Sequence, residues 1–123
     1  MSIDTLNRLR AGQLAGITRL DLACGLSELP DEVFALADTL EVLNLSGNRL
    51  RDLPDLSRLH RLRGLLRSDN DFTPVPAHLG AHASLRMVGF KSNRIRHVPA
   101  SALSPHLRWL ILTANEIETL PDT

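Results

Sequence analysis

An asparagine recurs along this 123-residue chain at positions 48, 70, 93 and 115, in steps of 22, 23 and 22 residues. Each copy keeps the same apolar company. Leu40, Leu43, Leu45, Leu50, Leu53 and Pro54 surround Asn48, and Leu62, Leu65, Arg67, Phe72, Val75 and Pro76 surround Asn70. Leu85, Val88, Phe90, Ile95, Val98 and Pro99 accompany Asn93; Leu107, Leu110, Leu112, Ile117, Leu120 and Pro121 accompany Asn115. Upstream, Ile17, Leu20, Leu22, Leu26, Leu29 and Pro30 form a fifth copy with one residue fewer in its turn. Self-similarity at this period describes units that cannot bury their own apolar face and must stack on neighbours.

Within one unit, Leu43 and Leu45 point one way from a short strand, while Val42, Asn44 and Ser46 point the other. Stacking the units side by side merges the leucines into one continuous core and the strands into a parallel sheet. The segment from Leu40 to Pro54 matches the pattern LxxLxLxxNxLxxLP at every defined position, and the chain resembles the leucine-rich-repeat family over about residues 17–121. That resemblance implies an α/β solenoid of five repeats of 22–23 residues. Its parallel β-sheet lines the concave face, and short helices and turns form the convex face. It also implies that Asn48, Asn70, Asn93 and Asn115 form a ladder, each buried where the chain leaves its strand and bonded to backbone groups of adjacent turns.

The repeats begin near 17, 40, 62, 85 and 107, which divides the chain into an N-terminal helical cap at 1–16 and a repeat domain at 17–123. In the cap, Ser2 or Asp4 starts a helix through Arg10 that turns Leu6 and Leu9 onto the first repeat. On the convex side a helix is expected from Asp31 to Ala37, because Pro30 precedes it and Asp31 and Glu32 complement its first turn. Shorter turns are expected around 56–59 and 77–83, the latter weakened by Gly80. The sequence stops just after the fifth Leu-Pro with no closing element. The expectation is a fragment of a longer solenoid, or an end covered by another copy through weak self-association of an otherwise monomeric chain.

Residues 15–26 (AGITRLDLACGL) and 107–113 (LRWLILT) resemble the start of bacterial leucine-rich-repeat proteins that carry a protein-kinase domain after the repeats. The resemblance implies a regulatory or targeting module of a longer signalling protein. No kinase motif lies within these residues, so no kinase activity is carried over.

Composition narrows the partner class. With 43% apolar and 23% charged residues the chain is in the globular range, and 14 basic residues balance 14 acidic ones. That balance lacks the broad positive field which draws proteins to nucleic acid or anionic lipid. No apolar run approaches the roughly 20 residues that span a bilayer, and the first residues lack a signal-peptide pattern, so a cytoplasmic location is expected. The single cysteine, Cys24, has no internal disulfide partner and is read as a buried thiol in the shortened turn.

The outward strand positions fall into three rows: Arg19, Val42, Gly64, Met87 and Trp109; then Asp21, Asn44, Leu66, Gly89 and Ile111; then Ala23, Ser46, Ser68, Lys91 and Thr113. Five strands about 4.8 Å apart make a strip of roughly 19 Å, enough for about six extended residues. Val42, Leu66, Met87, Trp109 and Ile111 are apolar yet outward, and clustered exposed apolar residues mark interfaces. The expected partner is therefore a protein or peptide, held by Val42, Asn44, Leu66, Ser68, Met87, Lys91, Trp109, Ile111 and Thr113, with Trp109 as anchor. The competing reading makes these β-formers, and has Trp109 and Ile111 meet a further repeat; a structural spacer is the alternative function.

Arg67 breaks the inward column formed by Leu22, Leu45, Phe90 and Leu112. Three arrangements are open: pairing inside the core, a buried stem with its head snorkelling out, or local displacement of the third strand. The last two are favoured, because no acid falls in the neighbouring inward columns. No nucleophile with a base, phosphate loop or cofactor site stands out, so the chain is expected not to be an enzyme. His78 and His82 have i, i+4 spacing, but Gly80 intervenes and no third ligand is fixed. His60, His82 and His106 all shortly precede a strand and are expected to be surface turn histidines rather than metal ligands.

Overall fold

A computed structural model describes residues 2–23, 25–51, 53–71, 82, 84–91, 93–96, 98, 107–111, 115 and 117. Several residues singled out above lie outside the described ones: Cys24, Phe72, Val75, Pro76, His78, Gly80, Pro99, His106, Leu112, Thr113, Leu120, Pro121 and the side chain of Trp109.

Helix α1 (Ser2–Arg10) opens the chain, with Asp4 in its first turn and Arg8 and Arg10 in its last, each charge complementing the helix dipole. Leu6 and Leu9, one turn apart on its inner face, are buried in the same core as the repeat leucines. Five three-residue strands follow: β1 (Arg19–Asp21), β2 (Val42–Asn44), β3 (Gly64–Leu66), β4 (Met87–Gly89) and β5 (Trp109–Ile111). They form one parallel sheet in the order β1-β2-β3-β4-β5. Sequential neighbours all pair in parallel because the chain returns to the same edge after each strand, the strands starting 23, 22, 23 and 22 residues apart.

The core runs beneath the sheet as columns of fully buried residues: Leu20, Leu43, Leu65 and Val88 in one, Leu22, Leu45, Arg67 and Phe90 in the next. Burying each leucine side chain is worth about 1.5–3 kcal/mol. Because every unit contributes the same columns, stability comes from neighbour contacts rather than from one central cluster.

The convex side differs in detail from the expectation. The segment after Pro30 is a six-residue 3-10 helix, Asp31–Leu36, with Val33 and Leu36 buried; Ala37 only closes it through a bond to the Phe34 carbonyl. The tighter winding fits the constraint on the return crossing. Six residues must bring both apolar side chains onto the leucine stack, and i, i+3 spacing places them on one face. The crossing around 56–59 uses two successive turns, with Leu59 N–H donating to Leu56 at 2.9 Å and Leu62 N–H to Leu59 at 3.0 Å.

Neither favoured arrangement for Arg67 occurs. Its residue is 0% exposed, so the head does not snorkel to water. The third strand is not displaced either: Leu45 N–H donates to Leu66 at 2.7 Å and Arg67 N–H to Gly89 at 2.8 Å, continuing the parallel ladder on both sides. The guanidinium carbon sits 4.2 Å from the centre of the Phe90 ring, its neighbour in the same inward column. Stacking a planar cation on an aromatic face inside the core is what the sequence reading left out.

His82 is also not a surface residue. It is 5% exposed, with Nε2 3.1 Å from the carbonyls of both Leu56 and Leu59, while Nδ1 accepts from the Ser84 N–H at 3.3 Å. That pattern fixes the neutral tautomer with its proton on Nε2. Burial pushes the imidazole below its ordinary value of 6.5, outweighing the carbonyl bonds that favour the charged form. A depressed folded value means the unfolded chain binds more protons in this window. Stability present above about pH 6.5 is therefore lost as pH falls below it. The drop in melting temperature between about pH 7.5 and about pH 5 should shrink in His82→Gln, whose amide keeps a donor without titrating. An unchanged pH slope would show that His82 does not carry it.

Candidate functional site

Two outward rows cross all five strands in register. Arg19 pairs with Val42, Val42 with Gly64, Gly64 with Met87 and Met87 with Trp109; Asp21, Asn44, Leu66, Gly89 and Ile111 form the second row. The alternation that sends Leu43 and Leu65 into the core sends Val42, Leu66, Met87 and Ile111 to the opposite face. The rows divide that face chemically.

Its β1–β2 half is polar and bonded within itself. Arg19 donates to both Asp21 carboxylate oxygens at 3.0 and 3.1 Å, and Asn44 Nδ2 donates to Asp21 at 2.8 Å. Asn44 Oδ1 accepts from the Ser46 N–H at 3.1 Å, so both polar atoms of this side chain have partners inside the chain. Ser46 Oγ accepts from the Ser68 N–H at 3.1 Å, tying the third row across β2 and β3. The Arg19 bond holds the Asp21 carboxyl below its ordinary value, against the opposing effect of partial burial. An acid that stays ionised beside its own arginine leaves this half with little net charge.

From Val42 on β2 across to Ile111 on β5 the rows are apolar, but less open than the sequence implies. Among the described side chains Ile111 is exposed, at 40%, whereas Val42, Leu66 and Met87 are half-buried. Glycine is the reason. A Cβ at Gly64 would lie 3.7 Å from Met87 Cε and Val42 Cγ2, and one at Gly89 would lie 3.2 Å from Leu66 Cδ2. Missing side chains at these two positions let the flanking ones lie across the sheet. Lys91 is exposed beyond Gly89.

A second consequence escaped the sequence reading. Arg63, Arg86 and Arg108 each immediately precede an outward strand, and backbone bonds stack them: Arg63 N–H to Glu41 at 2.8 Å, Arg86 N–H to Arg63 at 2.8 Å and Arg108 N–H to Arg86 at 2.7 Å. Together with Val42, Gly64 and Met87 they surround a recess of about 410 Å³. The signal was present in the period, since the three arginines are 23 and 22 residues apart. A larger recess of about 730 Å³ lies among Ser27, Glu28, Asp31, Arg49, Arg51 and Asp71, where charges of both signs favour no single ligand charge.

At the edge of each strand the asparagines span neighbouring units. Asn48 Nδ2 donates to Leu22 and Leu45, each at 2.7 Å, and its Oδ1 accepts from the Leu26 N–H at 2.9 Å. Asn70 repeats this with Leu45, Arg67 and the Leu50 N–H; Asn93 bonds Arg67 and Phe90, and Asn115 bonds Phe90 and the Ile95 N–H. Each such carbonyl inside the stack uses both lone pairs, one on its own unit's asparagine and one on the next. Among the described residues, two histidines have partners within the chain. His60 lies 3.0 Å from Asp38, and His82 has both ring nitrogens in use.

The family description Leucine Rich Repeat matches residues 39–59. Over 98% of its length the chain superposes on YopM, a leucine-rich effector protein from Yersinia pestis, with a TM-score of 0.68 and 25% identity, covering 37% of that chain. The chain is a leucine-rich-repeat solenoid. It is also similar to a chain of the Drosophila Toll–Spatzle complex, with a TM-score of 0.67 and 24% identity over 85% of this chain and 18% of that one. In sequence it is 33% identical to the transforming growth factor beta activator LRRC32 of Mus musculus, over 95% of this chain and 19% of that protein. It is 31% identical to the volume-regulated anion channel subunit LRRC8E of Homo sapiens, over 77% of this chain and 12% of that protein. The chain therefore spans less than a fifth of these two relatives. Leucine-rich-repeat proteins are generally protein-interaction modules, and no described helix is long and apolar enough to cross a membrane.

Proposed function

We propose that this solenoid binds a protein or peptide on its concave sheet face, using Val42, Leu66, Ser68, Met87, Lys91, Trp109, Ile111 and Thr113, with Asn44 at the polar margin. The observation that carries the reading is the division of that face. Arg19, Asp21 and Asn44 satisfy one another's polar groups on β1 and β2, while Val42, Leu66 and Met87 lie in register beside Gly64 and Gly89 across β2 to β4. Half-buried apolar side chains around the recess at Gly64 form a surface that a partner's side chain can enter, excluding water. A solenoid neighbour in complex with a protein, the Toll–Spatzle pair, lends the reading support by analogy.

In this reading the chain works by recognition rather than catalysis, in the cytoplasm, as the regulatory or targeting part of a longer bacterial signalling protein. What supports the longer setting is the small share of each relative that it matches and the resemblance of residues 15–26 and 107–113 to repeat regions that precede kinase domains. Residues 1–16 act as the cap of the first repeat, a role supported by the burial of Leu6 and Leu9.

Selection of displayed random peptides against the folded chain tests the reading. Binders are expected, and Trp109→Ala should weaken them by about tenfold or more while moving the melting temperature little. A large loss of stability with binding intact would reject the anchor role. A molecular mass that climbs with concentration in light scattering, with no peptide selected, would replace recognition by self-association.

A further inference from the structure

We infer that the partner segment is acidic: an apolar side chain enters the gap at Gly64 between Val42 and Met87, and flanking carboxylates lie on Arg86 and Arg108. This rests on the concave-face reading above and names the chemistry of its ligand.

The recess has an apolar floor and a cationic wall. Val42 and Met87 approach the Gly64 gap from either side, and the three arginines stand one strand apart along its edge. The chain as a whole has no net charge, with 14 basic and 14 acidic residues, so the positive sign here is local. The row already holds one carboxylate of the chain itself. Glu41 occupies the equivalent position one strand before Arg63, and its carboxylate meets the Arg63 guanidinium at 2.9 Å. A carboxylate held one strand-width away is the geometry a ligand would repeat on Arg86 and Arg108.

Each exposed ion pair of this kind contributes little alone. Combined with burial of an apolar side chain, two of them set both sign and direction for an extended peptide. Arginine suits this role because its planar fork can meet a carboxylate with two parallel bonds. Nucleic acid fits less well. Its affinity comes from neutralising many phosphates at once, whereas this row has three arginines with an apolar floor beside them.

The test uses the same displayed random peptides, about ten residues long, read for composition. Selected sequences should be enriched in Asp and Glu around an apolar residue. A fluorescein-labelled representative should lose about tenfold or more in affinity on the Arg86→Gln/Arg108→Gln double variant, and a comparable amount on Gly64→Val, which fills the gap. Replacing the peptide's own Glu residues by Gln should weaken it similarly on the unaltered protein, a measurement that does not depend on any variant folding. Binders without acidic bias, or indifferent to both arginines, would overturn the inference while leaving concave-face recognition standing. Displacement of the peptide by an equal concentration of oligo-dT would overturn it in favour of a phosphate ligand. Selection of no peptide at all removes the recognition reading and this inference together.

Discussion

Replacing Asn70 by Ala is expected to destabilise the fold by about 2–4 kcal/mol, a large fraction of what a domain of this size possesses. The bonds lost are specific. The Leu50 N–H, buried and donating to Asn70 Oδ1 at 2.9 Å, is left without that acceptor. An orphaned buried donor alone costs about 1–3 kcal/mol. Leu45 and Arg67 each keep a second asparagine, Asn48 and Asn93 respectively, so their carbonyls lose one partner rather than all. This sharing caps the penalty and also spreads it, because the bonds removed join the second and third repeats. Denaturant unfolding followed by far-ultraviolet circular dichroism measures the loss, and a change below about 1 kcal/mol would show that water takes over the asparagine's bonds. Asn70→Asp sharpens the test. Its carboxylate can still accept from Leu50 but faces carbonyls where the amide donated, so the folded protein favours the protonated acid. With the folded value raised, this variant should gain stability as pH falls through the carboxylate range, the reverse of an ordinary paired acid.

The legible part of this structure is whatever repeats. The leucine alternation and the asparagine steps were enough to place Leu20, Leu43, Leu65, Val88 and Leu110 in one column, and the strand register pairs those same residues. What was missed lies where one repeat departs from its neighbours. His82 stands three residues before Leu85, as buried Leu59 stands three before Leu62, and there its imidazole meets the Leu56 and Leu59 carbonyls. The half-burial of Leu66 depends on the absence of a side chain one strand away at Gly89, a cross-strand relation that no single repeat displays. The arginine row was hidden differently. Arg63, Arg86 and Arg108 occupy a position the repeat pattern leaves undefined, so attention to consensus columns passes over them.

Arg67→Leu should raise stability, by about 1–3 kcal/mol, although it removes a cation that the fold accommodates in register. Every neighbour in that inward column is apolar: Leu22, Leu45 and Phe90 are all buried, and Arg67 among them is 0% exposed. Taking a guanidinium out of water costs several kcal/mol after relaxation. Its stacking on Phe90 at 4.2 Å returns about 2 kcal/mol when desolvated, so even a well-partnered arginine here does not match a leucine. Arg67→Met separates charge from volume, since methionine fills the long slot without the cation and should also stabilise. Arg67→Lys tests the stacking itself. An ammonium keeps the charge but has no planar face for the ring, and it should be less stable than the natural arginine. The decisive comparison is Leu against Arg in denaturant midpoint at unchanged slope. A loss greater than about 1 kcal/mol on Arg67→Leu would mean the substitution strands a buried group that needs the guanidinium, making Arg67 a structural cation rather than a tolerated defect.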